Sequence, residues 1–421
     1  VRSLSLFFIL AFLSTLTASA QNTRPLFDDT NVEARQPSEP FLDRAAAPEM
    51  ARLTARPRAN RIVEHLQHDA DVETLQRPIP IHPHTGSLTV VGKIVVDGAT
   101  TLRLQITGAA RGSLLWVAGD GDEHFESFEP VDATSWAPTT HGATVYIATE
   151  RFDAPLTIAK LAIGTAAANS SVTSCIKDVA CTTSSATSNI PAELADASRA
   201  IALLRFVRGD ASYVCSGGLV NDANGSGTPY LLTAQHCIAT PEEAASIEAV
   251  WDDRTTACGG AASDSVRTYG AQLLVASAST DVALLRMNRI PPHRVFLGVD
   301  RAPLAEGTAT YRVSHADGGA QSYSASVVRI AGAGCSSAPR PQFIYSAPID
   351  GAVTNGSSGA PLLLPGLRIA GQLLGLCGPS PTNACATYND TVDGSIAASW
   401  PLLAPFLDAS PPTARMRTAR H

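Results

Sequence analysis

Gly356-Ser357-Ser358-Gly359 comes late in the chain, after Thr233-Ala234-Gln235-His236-Cys237 and Thr280-Asp281-Val282-Ala283-Leu284-Leu285. A serine between glycines, a histidine beside a cysteine and an aspartate heading an apolar run are each weak signals alone. In the order His, Asp, Ser they fit a nucleophilic triad carried on a double β-barrel. The orders Asp-His-Ser and Ser-acid-His belong to other scaffolds.

Each motif has a physical reading. Glycine on both sides of Ser357-Ser358 permits a tight turn and close approach of a substrate. Such a turn aims the amides of Gly356 and Ser358 at one point, an oxyanion hole. Ser357 is the rival nucleophile, and the Gly-x-Ser-Gly pattern favours Ser358. Ser216-Gly217-Gly218-Leu219-Val220 and Tyr230-Leu231-Leu232-Thr233-Ala234 read as strands joined by a Gly/Asn-rich turn. His236 then falls where the second strand ends, with Cys215 and Cys237 close enough to bridge and fix its loop. Asp281 opens an apolar strand, where a partly desolvated carboxylate can orient an imidazole and stabilise its protonated form. Asp252, Asp253 and Asp264 compete for that role, but none opens such a strand.

Composition frames these motifs. The chain has 421 residues, a net charge of −7 and 16% charged residues, a balance that does not call for nucleic acid or an anionic membrane. With Gly 31 and Pro 28, it suits a β-rich, loop-rich exported protein better than a helical bundle. Lys93, Lys160 and Lys177 are its only lysines.

Arg2, the apolar run from Leu4 to Leu16 and Ala18-Ser19-Ala20 read as an export signal over 1–20, too short to span a membrane comfortably. All 8 cysteines (Cys175, Cys181, Cys215, Cys237, Cys258, Cys335, Cys377 and Cys385) lie after residue 170. An even number in an exported chain argues for four disulfides, and without a matched CxxC and His pattern no metal site is expected among them.

The remaining chain divides by pattern. Residues 21–84 are polar and rich in proline and arginine, with helical spacing from Ala51 to Gln76 interrupted at Pro57. Residues 85–166 alternate as short strands (Ser87–Val95, Thr100–Thr107, Ser113–Gly119, Thr144–Ala148 and Pro155–Ile163), the signature of a small antiparallel sandwich. Residues 167–174 form a linker, 175–410 the unit bearing the motifs, and 411–421 a tail. His65 with His68, and His82 with His84, are metal-chelating pairs on paper, but solvated histidines are the better reading.

From Cys175 to Asp408 the chain resembles the bacterial branch of trypsin-like serine peptidases that includes lysyl endopeptidase. The matching pieces are CSGGLVND, YLLTAQHC, VWDDRTTAC, TDVALLRMN, VSHADG, NGSSGAPLL, IAGQLLG and GSIAASW. The resemblance implies an all-β, chymotrypsin-like pair of six-stranded barrels with the site in the cleft between them. It carries over His236, Asp281 and Ser358 as catalytic residues that cut peptide bonds through an acyl-enzyme, without a cofactor. It implies bridges Cys215–Cys237 and Cys181–Cys258. It also places Cys175 with Cys385 or Cys377, and Cys335 with the one left over.

The chain departs from the family pattern in places. Ser357 stands where classical trypsins carry the aspartate that receives the freed amino terminus. Ala352 stands where they carry their specificity aspartate. In the lysyl endopeptidase branch the pocket acid comes later, which points to Asp390 and then Asp393 here. Arg329 and Leu374 occupy the places of the aromatic and histidine partners that sharpen lysine selectivity, and an arginine there opposes a cationic side chain. The strand Gly371 to Gly375 is expected to pair with an extended substrate. A lysine-taking pocket would leave Lys177 as the one self-cleavage point in the motif-bearing unit and Lys160 as a processing point. The expected partners are a protein or peptide substrate and the chain's own amino-terminal pro-region, in a secreted monomer. The alternative is a degenerate barrel that acts as a secreted binding module. An esterase fits less well, because the serine does not sit in a strand-to-helix elbow.

Overall fold

The computed structural model describes residues 49–53, 60–64, 71–73, 77–80, 87–108, 113–130, 134–149, 157–164, 174–184, 191–209, 211–332 and 334–408. The expected export signal, most of the linker, the tail and all four histidines of the two paired sets lie outside these residues.

Two barrels form the second half. In the first, Ile201–Arg208, Ala211–Leu219, Tyr230–Ala234 and Val282–Met287 lie side by side, flanked by Glu248–Trp251 next to Ile201–Arg208 and by Ala271–Ser277 next to Val282–Met287. Val266–Tyr269 pairs with Glu248–Trp251 and is joined to Ala271–Ser277 by Gly270 alone. Gly270 has φ +72°, a left-handed bend that glycine adopts without a Cβ penalty. Its amide donates to Ile247 and its carbonyl accepts from Asn288, so one bent strand closes a ring of six. The ring is filled by Leu204, Phe206, Leu231, Trp251 and Leu285.

The second barrel closes by direct pairing. Ala309–Ser314, Ser322–Val328, Phe343–Asp350, Asp390–Ser395, Arg368–Gly378 and Pro361–Leu364 follow one another around the ring. The helix Ile396–Leu407 then packs back against the seam through Ile396, Leu403 and Leu407. Four disulfides staple this half: Cys175–Cys385, Cys181–Cys258, Cys215–Cys237 and Cys335–Cys377. The choice left open by the sequence falls to Cys385 as the partner of Cys175.

The amino-terminal strands stack as two sheets around Leu102, Leu104, Val117, Val145, Ile147 and Leu161. One sheet holds Thr101–Thr107 and Thr157–Gly164, the other Ser87–Val95, Leu115–Gly119 and Thr144–Thr149. The helix expected between Ala51 and Gln76 is not found; the described parts are strands Glu49–Arg52, Asn60–Glu64 and Asp71–Glu73. The i, i+4 apolar spacing was fortuitous. Ile62 and Val63 are β-branched and pair with Ala162 and Leu161, while Val72 pairs with Ile94, so cross-strand pairing overrides local pattern. Asn60–Glu64, Asp71–Glu73 and Arg77–Pro80 thus each pair with a strand of the sandwich.

The sandwich rests on the first barrel. Trp136, Ala162 and Val207 form a shared apolar cluster. Beside it Glu248, fully buried, receives a 2.5 Å hydrogen bond from Thr139 Oγ1 and lies 3.5 Å from Arg267 and 4.0 Å from Arg205. Burial works to raise its pKa, but the guanidinium groups of Arg103, Arg267 and Arg205 outweigh it and hold Glu248 at about 2.

Candidate active site

The cleft between the barrels gathers three side chains from three elements. His236 follows the strand Tyr230–Ala234, Asp281 precedes Val282–Met287, and Ser358 sits in the turn before Pro361–Leu364. The first two strands pair directly, Ala234 opposite Val282, which brings the residues beyond their ends together. Asp281 Oδ2 lies 2.6 Å from His236 Nδ1 and Oδ1 accepts from the His236 amide at 2.8 Å. On the far side of the ring, Nε2 is 2.9 Å from Ser358 Oγ. These are hydrogen-bond distances of the kind a proton relay needs.

The supports of this arrangement are local and specific. Asp281 adopts φ +52°, uncommon for a residue with a Cβ. Its carbonyl accepts from the Gln235 amide at 2.8 Å and from Gln372 Nε2 at 3.0 Å, which fixes that conformation. Arg208 donates to the carbonyls of His236 and Cys237 at 3.1 and 2.6 Å and bonds Glu243, the residue that closes the capping box of the helix Pro241–Ala245. The Cys215–Cys237 bridge ties the same loop to the neighbouring strand. The Arg208 clamp escaped the sequence reading, because an arginine 28 residues before the histidine carries no local signal of it. Thr240-Pro241-Glu242-Glu243, by contrast, is a readable capping pattern.

The serine turn requires its glycines. Gly356 has φ +87°, and a Cβ there would stand 2.6 Å from the His315 carbonyl oxygen; Gly359 has φ +80°, and a Cβ would meet Thr233 Oγ1 at 2.2 Å. Ser216 locks the turn from the first barrel: its amide donates to the Ser358 carbonyl at 2.8 Å and its hydroxyl to the Gly356 carbonyl at 2.9 Å. Ser357 points inward, accepting from Ser314 Oγ at 3.1 Å and the Thr354 amide at 3.3 Å, so Ser358 alone of the pair meets the imidazole.

The expected pocket acids are engaged. Asp390 pairs with Arg329 at 3.3 Å, and burial raises its carboxyl against the pull of that arginine. Asp393 is buried against Arg312 at 2.7 Å, its pKa pushed up to about 6 by burial with Arg312 opposing. Arg312 was missing from the sequence reading. Ala352, Val353 and Leu376 share with Arg312 the lining of a small pocket.

The cleft is also filled. Glu49–Arg52 lies antiparallel to Arg368–Gly378, with Arg52 opposite Gly375, Ala51 opposite Leu376, Met50 opposite Cys377 and Glu49 opposite Gly378. The pairing thus begins at Gly375 and runs on to Gly378. Leu374 packs with the Cys335–Cys377 bridge and Met50. The carbonyl of the next residue, Leu53, accepts a 2.6 Å hydrogen bond from the amide of Gly356. Ser358 is 0% exposed. Among the described residues no cluster of His, Cys, Asp or Glu suited to a metal ion occurs.

Two closed six-stranded barrels with a serine, a histidine and an aspartate in the cleft define a chymotrypsin-like chain. The family model for the lysyl endopeptidase C-terminal domain matches residues 169–392, just over half of the sequence, and the chain belongs to that family. A lysyl endopeptidase of Pseudomonas aeruginosa is 34% identical over 159 residues, covering 36% of this chain and 34% of that protein. The chain thus aligns with about a third of that relative's length. Among solved structures, a protease from M. tuberculosis in its active form is similar at 15% identity and TM-score 0.37, covering 59% of this chain and 96% of that one. An HtrA-type protease with a bound tripeptide is similar at 16% identity and TM-score 0.37, covering 51% and 62%. These structural likenesses are distant.

Proposed function

We propose that the chain is a secreted serine endopeptidase. Ser358 Oγ attacks a peptide carbonyl, and His236 takes the hydroxyl proton and returns it to the leaving amine. Asp281 holds the ring in the required tautomer and stabilises its protonated form. Water activated by the same histidine then releases the acyl group. The amides of Gly356 and Ser358 stabilise the oxyanion. The observation that carries this reading is the 2.9 Å approach of His236 Nε2 to Ser358 Oγ with Asp281 2.6 Å behind the ring. Membership of the lysyl endopeptidase family supports it. Four disulfides support export to an oxidising compartment, and the strand laid in the cleft supports a pro-region role for the leading residues.

Hydrolysis of an unfolded protein by the chain and by its Ser358→Ala variant tests the reading. Turnover is expected to fall on the order of 10⁴-fold. Equal turnover by the two chains would contradict it.

A further inference from the structure

The segment ending at Leu53 lies in the cleft as a substrate lies. Its strand extends the sheet at Gly375–Gly378 by antiparallel pairing, the mode by which extended peptides add to a sheet edge. The Leu53 carbonyl accepts from Gly356, an amide assigned above to the oxyanion hole. The residue whose carbonyl occupies that point is the one whose following bond is cut, so its side chain marks the specificity pocket. The Leu53 side chain is 5% exposed and packs with Val353, Leu373 and Leu376. These walls are apolar, and Ala352 stands beside them at the position where a classical trypsin has its aspartate.

Among the described residues the two candidate acids already face arginines, although Asp393 Oδ2 itself makes no hydrogen bond. Asp393 Oδ1 is bonded to Arg312 and Asp390 to Arg329, so each carboxylate is at least partly neutralised by a guanidinium. An ammonium group placed between Val353, Leu373 and Leu376 would be desolvated without a new partner.

Resting on the peptidase reading, we infer that this pocket takes an unbranched-at-Cβ aliphatic side chain such as leucine, and that the Leu53–Thr54 bond is the enzyme's own first substrate. In that cut Ser358 Oγ bonds to the Leu53 carbonyl carbon and the bond to the Thr54 nitrogen breaks. His236 gives the nitrogen the proton it took from the serine. Water then adds to the ester, leaving a Leu53 carboxylate and restoring the serine hydroxyl.

The test uses the full chain carrying Leu53→Asp, which places a charge in the apolar pocket and frees the cleft. Two fluorogenic peptides, Glu-Met-Ala-Arg-Leu and Glu-Met-Ala-Arg-Lys coupled at the carboxyl end, are compared. The leucine peptide is expected to be cut with kcat/KM on the order of a hundredfold higher. Equal rates, or a preference for lysine, overturn the inference and leave the peptidase standing. Cleavage of neither peptide removes the peptidase reading and this inference with it. A second readout does not depend on that variant folding: the unsubstituted chain is incubated beside its Ser358→Ala form and its amino termini are sequenced. A new terminus at Thr54, absent from the Ser358→Ala chain, is expected. New termini after lysine or arginine only, or no new terminus, would overturn the inference.

Discussion

Asp281 holds His236 twice, one carboxylate oxygen 2.8 Å from the backbone nitrogen and the other 2.6 Å from Nδ1. A carboxamide in its place keeps the size and loses the tautomer control. For Asp281→Asn, kcat is expected to fall by about 10³- to 10⁴-fold with little change in KM. Steady-state kinetics alongside near-ultraviolet circular dichroism checks this. A fall below tenfold in a folded variant would mean the carboxylate does not orient the ring.

Ser357 differs from its neighbour in role. Its hydroxyl is engaged by Ser314 and Thr354 in the interior, so Ser357→Ala loses hydrogen bonds worth about 1 kcal/mol and no nucleophile. Activity within roughly tenfold of the parent is expected, against the near-complete loss in Ser358→Ala. Parallel assays of the two variants settle which serine reacts.

The Cys215–Cys237 bridge closes a span of 22 residues that carries the histidine loop. Replacing both cysteines with alanine is expected to cost about 3 kcal/mol of stability. Turnover is also expected to drop, since the loop is then held only by Arg208 and Asp281. Denaturant titration and kinetics on the same preparation separate the two effects.

The sandwich–barrel contact is expected to be acid-sensitive. Glu248 is held at about 2 in the folded chain, below its ordinary 4.5. The stability it contributes is therefore present above about pH 4.5 and is lost as pH falls toward 2. Thermal melts between pH 2 and 7 are expected to show a steeper acid loss for the parent than for Glu248→Gln. At neutral pH that variant, which leaves Arg103, Arg205 and Arg267 without their shared anion, is expected to be less stable by about 3 kcal/mol. A pH profile unchanged by the substitution would show that the cluster does not couple the two parts.

His236, Asp281 and Ser358 were legible in the sequence because each sits where a local signal changes: a strand end, a strand start, a glycine-bounded turn. The sandwich strands Ser87–Val95 and Thr144–Thr149 were legible for the same reason, through period-two alternation. The partners of Asp390 and Asp393 were less so. Arg329 was flagged near the pocket by resemblance, but Arg312 lies 81 residues before Asp393, and only the closure of the second barrel joins them. The helical spacing from Ala51 takes in the end of the strand Glu49–Arg52, whose true partner, Arg368–Gly378, lies far along the chain. Long-range pairing of this kind leaves no periodicity in either segment alone.

The central claim, that Ser358 is an activated nucleophile, is tested most directly by phosphonylation. The Leu53→Asp chain, with its cleft opened, is treated with a serine-directed fluorophosphonate and mapped by peptide mass spectrometry. One adduct per chain, on Ser358 and lost on His236→Ala, is expected. An unlabelled chain, or an adduct on Ser357 instead, would contradict the account.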